Sequence, residues 1–215
     1  LLMKQITSDN VYIRPMIYCE ADGFLGLRAP NLTTHLAIAA ITWQYEVSSL
    51  QKNKGLKLIT SHVQKGLPNS CYLGSKANGN YLSTIIALQE SKDSDVDDII
   101  FCDQQGFITE ASGANVFIVK NKKLYTPSTS SALKGITRDT IFNISKYLNL
   151  SCEIVNLKKE DLYCADEIFL VGSAMEVMAV TNLDKREISN GCQGEIVKKI
   201  SDLYHNIVTG KCNQY

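Results

Sequence analysis

Apolar residues in the first part of the chain come in short runs rich in β-branched and aromatic side chains. VYIRPMIY, TTHLAIAAITWQYE and LKLITSHV are separated by Gly, Asn and Pro, the pattern of strands. Pro15 has no N–H to give to a ladder, so its strand is expected at an edge or a bulge. The run LAIAAITW from Leu36 is too short to span a bilayer and has the length of a buried strand. The period then changes. Tyr81, Leu82, Ile85, Ile86 and Leu88 follow the helical repeat, with Lys76 just ahead of the helix they predict.

Two hairpins come next: VDDIIFCDQQGFITEAS with its turn at Gly106, and ANVFIVKNKKLYTP around KNKK. RDTIFNISKYLNL reads as a helix with Thr137 as its N-cap and Gly135 permitting a tight turn before it. The rest alternates: strand CEIVNL, short helix KEDLYCA, strands EIFLVGS and EVMAVTNL, and a last helix GEIVKKISDLYHNIV ending near Gly210. Hairpins mixed with helices predict an α+β fold rather than a doubly wound parallel sheet.

Composition narrows the class of partner. In 215 residues, 22 Lys plus Arg balance 22 Asp plus Glu, so no charge excess draws the chain to nucleic acid or to a membrane surface. Seven cysteines form no C-x-x-C pair and do not cluster with the three histidines. That speaks against structural zinc and a disulfide framework, and for a reducing, cytoplasmic setting. The opening LLMKQITSDN has the pattern of a helix tail running into a loop, so a piece upstream is expected.

Three segments carry candidate chemistry. In LGSKANGNYL, Lys76 is an amine that can attack an aldehyde cofactor once deprotonated, and Tyr81 is five residues on. Glu110 stands where GFIT turns into the small-residue run Ala111, Ser112, Gly113, Ala114. A carboxylate there can keep a pyridine nitrogen protonated, as pyridoxal phosphate requires, and the small residues let a flat ring approach the backbone. In KGITRDT, the N–H groups of Ile136 and Thr137 and the Thr137 hydroxyl suit a phosphate at a helix start. VGSAM offers a further hydroxyl at Ser173 and an N–H for a substrate carboxylate. Taken singly, these are also a solvated lysine, a tight turn and a capped helix.

Taken together, E-A-S-G-A-N-V-F, then L-Y-T-P, then L-K-G-I-T-R resembles the signature of the class IV pyridoxal-phosphate aminotransferases. SKANGNYL is similar to that family's catalytic-lysine segment, and ADEIFLVGSAMEV extends the match. YIRPMIY resembles the strand that in the branched-chain members carries a tyrosine and an arginine facing the substrate. The resemblance implies a fold type IV α+β architecture: a large C-terminal domain of antiparallel and mixed β structure with flanking helices. Residues 1–50 would be the end of the N-terminal domain, 51–215 the cofactor-binding domain, and most of the N-terminal domain, with a phosphate-clamping arginine, would lie upstream. Lys134 stands where relatives often have proline, and Ser173 where many have threonine.

The activity implied is transamination between Leu, Ile or Val and 2-oxoglutarate in a homodimer or higher homo-oligomer. Lys76 would hold pyridoxal 5'-phosphate and shuttle the proton, Tyr81 would bond its phenolate and Glu110 its ring nitrogen. Ile136, Thr137 and Ser173 would hold phosphate, and Tyr12, Arg14, Gly113 and Ala174 would line the substrate side. D-amino-acid aminotransferase and aminodeoxychorismate lyase share the signature. A non-catalytic truncated relative, acting as a binding or assembly subunit, is the reading from another class.

Overall fold

The computed structural model describes residues 11–21, 23, 31–42, 54–66 and 72–212. The chain divides into two units, Leu1–Glu46 and Val47–Tyr215. In the first, β1 (Val11–Ala21) and β2 (Leu32–Thr42) form an antiparallel ribbon in unbroken register from Val11↔Thr42 to Ala21↔Leu32. Each strand of a two-stranded ribbon keeps one open edge, which is where Pro15 is tolerated without a bulge. Tyr12 and Arg14, two residues apart, share one face of β1. The expectation of a buried strand from Leu36 fails: no residue of β2 is buried, and Leu36 is 63% and Ile41 52% exposed. Alternation and β-branching mark a strand, whereas its burial depends on what packs against it, which a local pattern does not carry. Trp43 lies outside the described residues.

The second unit is a mixed sheet with helices on its faces. It comprises β3 (Leu56–Thr60), β4 (Asp98–Cys102), β5 (Ile108–Ala111), β6 (Asn115–Lys120), β7 (Lys123–Thr126), β8 (Cys152–Ile154), β9 (Glu167–Gly172), β10 (Glu176–Leu183) and β11 (Arg186–Glu187). Its order is β5-β4-β3-β10-β9-β6-β7-β8, with β11 hairpinned to β10. β3 is parallel to both β10 and β4, and β7 is parallel to β8. The remaining pairings are antiparallel. The α+β expectation holds, with hairpins turning at Gly106, whose φ of 81° suits glycine, and at Asn121 and Lys122.

Alternation along the central strands sorts the core into two layers. Val116 and Ile118 of β6 and Ile168 and Leu170 of β9 point to one side, with Leu58, Ile100 and Leu162. Phe117, Val119, Phe169 and Val171 point to the other, where α2 (Ile136–Tyr147) and α4 (Glu195–Val208) cover them with Ile141, Ile144, Val197 and Ile200. Phe117 lies opposite Phe169 across the ladder and stacks on it at 5.1 Å. Both rings are fully buried, each contributing roughly 1.5–3 kcal/mol.

α1 (Leu82–Ser91) crosses from β3 to β4, and a single turn of 3-10 helix, Asn78–Tyr81, precedes it. Its periodic apolar residues do not form core. Leu82 is 63% and Ile85 56% exposed, and the helix buries Thr84 and Ala87 instead. The short α3 (Lys159–Tyr163) carries Leu162 into the core.

Candidate active site

β5 ends, β6 begins and β9 ends at the same edge of the sheet, since Asn115 pairs with Val171. The β5–β6 turn is closed by the Ala111 N–H donating to the Ala114 carbonyl at 2.8 Å. A Cβ on Gly172 would sit 3.2 Å from the Gly113 carbonyl, so two stretches of backbone pass closely there. Behind them Asp98 is buried. Burial pushes its carboxyl above the ordinary range, and bonds from the Ser112 hydroxyl and from the Ile99 and Ser112 N–H groups pull it only part of the way back.

A cavity of about 350 Å³ opens at this edge. Lys76, Tyr81, Glu110, Gly113, Ile136, Thr137 and Ser173 all line it, although the chain brings them from four separate segments. Ala174 follows Ser173 in the same exposed turn but does not line the cavity. Tyr12 and Arg14 belong to the other unit.

Lys76 is exposed and its Nζ donates to the Tyr81 hydroxyl at 3.0 Å. The loop that presents it is fixed from behind. Asn80 donates its amide to the carbonyls of Tyr72 and Ser75, both at 3.0 Å, and the Ser75 hydroxyl donates to the Tyr72 carbonyl.

Glu110 faces the cavity with both oxygens engaged. The Leu133 N–H donates to Oε2 at 3.0 Å, and Lys65 Nζ lies 3.1 Å from Oε1. Lys65 is 4% exposed; it donates also to the Thr84 hydroxyl and sits over the Phe101 ring. No pattern in SHVQKGLP marks this lysine as buried, and sequence reasoning passed over it. A carboxylate has about four acceptor sites, so Glu110 retains capacity for another donor.

The helix start differs from expectation in one respect. α2 begins at Ile136 with Gly135 as its N-cap, and Thr137 lies inside the first turn, buried at 3%. Thr137 is therefore no cap. Glycine at 135 serves space and not conformation: its φ is −72°, and a Cβ there would have to displace Asn115 Oδ1. With no side chain on the cap, the N–H groups of Ile136 and Thr137, which have no acceptor within the helix, are left for an anion.

The other residues of the long motif are structural. Asn115 donates to the Leu133 carbonyl at 2.8 Å, Thr126 donates to the Val116 carbonyl at 2.8 Å, Arg138 donates to the Pro127 carbonyl at 3.1 Å, and Leu124 is fully buried. They tie β6 and β7 to each other and to the segment that leads into α2.

The sequence profile of the family described as amino-transferase class IV matches residues 1–183. The chain belongs to the class IV aminotransferases. The branched-chain-amino-acid aminotransferase of Pseudomonas aeruginosa is 34% identical to this class IV chain over 209 residues, 97% of the chain and 68% of that protein. The crystal structure of the Escherichia coli branched-chain amino acid aminotransferase superposes with a TM-score of 0.92 at 32% identity, covering 99% of this chain and 70% of that one. That of the enzyme from Thermobaculum terrenum, in its PLP form, superposes with a TM-score of 0.87 at 29% identity, covering 95% and 66%.

The residues present in this aminotransferase chain fit pyridoxal phosphate. The cavity offers an amine at Lys76, a carboxylate at Glu110 and an uncapped helix start at Ile136 and Thr137, matching the aldehyde, the ring nitrogen and the phosphate of one cofactor. Among the described residues no helix is long and apolar enough to cross a membrane.

Proposed function

We propose that this chain carries the cofactor-binding part of a branched-chain aminotransferase, which moves an amino group between Leu, Ile or Val and 2-oxoglutarate. The observation that carries the reading is the convergence of Lys76, Glu110 and the Ile136 helix start on one cavity. Residues 1–50 would be the end of the family's N-terminal domain and 51–215 the cofactor domain, in a cytoplasmic homodimer or larger homo-oligomer.

Bound pyridoxal phosphate supplies an electron sink for the pair left when the substrate Cα–H bond breaks. Lys76 Nζ would hold the aldehyde of that group and, once freed by the substrate amine, would act as the base that takes the Cα proton and the acid that returns it. Tyr81, already bonded to Lys76 at 3.0 Å, orients that amine and bonds the ring oxygen. Glu110, anchored by Lys65 and Leu133, keeps the ring nitrogen protonated. Ile136, Thr137 and Ser173 receive the phosphate. On the resemblance, Tyr12 and Arg14 would serve the substrate's side chain, a guanidinium fork matching the carboxylate of glutamate, and the backbone of Gly113 and Ala174 would serve its α-carboxylate.

Borohydride reduction of the full-length protein with pyridoxal phosphate, followed by peptide mapping, tests the reading. The label is expected on Lys76 and is lost in Lys76→Ala, together with at least about 10²-fold of leucine:2-oxoglutarate turnover. A label on a different lysine would remove the basis of the assignment.

A further inference from the structure

Asn115 is 93% buried, being 7% exposed, and makes two contacts beyond its place in the β6 ladder. Its amide donates to the Leu133 carbonyl at 2.8 Å. Its Oδ1 occupies the space that a Cβ on Gly135 would need. The same Leu133 gives its N–H to Glu110 Oε2 at 3.0 Å. One main-chain residue is thus gripped from both sides, by the carboxylate at one end of the cavity and by the amide that packs under the helix start at the other.

We infer that Asn115 is a positioning residue, which sets the turn 133–137 against Glu110 so that the N–H groups of Ile136 and Thr137 meet a phosphate while Glu110 meets the ring. The inference rests on the cofactor reading above. An asparagine is suited to the task because it carries a donor for the carbonyl and a flat acceptor edge against which a residue without a side chain can pack. Aspartate would lose the donor and set a negative charge under an anion site. Alanine would leave the Leu133 carbonyl without its partner and the Gly135 turn without its floor.

The test is equilibrium binding to the cofactor-free, full-length protein of two probes, pyridoxal 5'-phosphate and pyridoxal, which share the ring and the aldehyde and differ in the phosphate. Asn115→Ala is expected to weaken pyridoxal phosphate about tenfold and to leave pyridoxal within about twofold. Gly135→Ala, which pushes Asn115 Oδ1 aside, should show the same selectivity, and adding it to Asn115→Ala should cost nothing further. An equal loss for both probes, or no loss for either, overturns the positioning role and leaves Asn115 as scaffold alone. Failure of the wild-type protein to bind either probe would instead overturn the cofactor reading itself.

Discussion

Lys65 shows what one buried side chain does to another. Its ammonium is 3.1 Å from Glu110 in a place where the lysine side chain is 5% and the carboxylate 14% exposed. Removing one partner of such a pair leaves the other buried without compensation, while removing both leaves an uncharged and nearly neutral site. Lys65→Met is therefore expected to cost about 3–5 kcal/mol in urea unfolding. The double variant Lys65→Met with Glu110→Gln should recover most of that loss. If single and double variants unfold alike, the pair is not what holds Lys65 in place. With Lys65 Nζ on one carboxylate oxygen and the Leu133 N–H on the other, the fold itself fixes the direction in which Glu110 points.

At the scale of elements, the seam between β3 and the β10–β11 turn is held by Asp184. Burial acts to raise its carboxyl, but the Thr60 N–H at 2.6 Å, the Tyr163 hydroxyl at 2.6 Å, the Thr60 hydroxyl at 2.7 Å and Lys159 together hold it below its ordinary value of 3.8. A carboxyl depressed on folding contributes stability that is fully present above its unfolded value and is lost as pH falls through the folded one. Asp184→Asn keeps a residue that tolerates the φ of 52° at this position, and is expected to cost about 1–3 kcal/mol near neutral pH. The gap to wild type should narrow as pH falls below 3.8. A gap independent of pH would assign the loss to packing.

Elements of this kind were legible where their information is local. Strand and hairpin positions follow from alternation and from turn residues such as Gly106, and most helices from their period. Sheet order was not legible, because bonds such as Thr60 to Asp184 join residues far apart in the chain. The start of α2 was misplaced at Thr137 because a glycine cap is recognised by the Asn115 side chain that fills its empty side, and no neighbouring residue signals that. α4 has no cap of its own either; Glu167 of β9 accepts from the Ile196 and Val197 N–H groups. The Lys76, Glu110 and Ile136 segments were each readable as candidates, whereas Lys65 and Leu133 act through contacts that only the folded chain creates.

For the whole molecule, the bonds differ widely in the length of chain they close. Glu110 and Asn115 reach Leu133 across 23 and 18 residues, while Thr60 reaches Asp184 across 124. Longer loops cost more entropy to close, and non-local pairings form late. Denaturant-jump kinetics should therefore show Asn115→Ala slowing refolding with little change in unfolding, and Asp184→Asn speeding unfolding with little change in refolding. The opposite assignment would place the β3–β10 seam in the nucleus. Glu110, Asn115 and the turn at Leu133 belong to one short stretch of chain, so the two ends of the cavity take up their relative positions before the distant β3–β10 seam has to close.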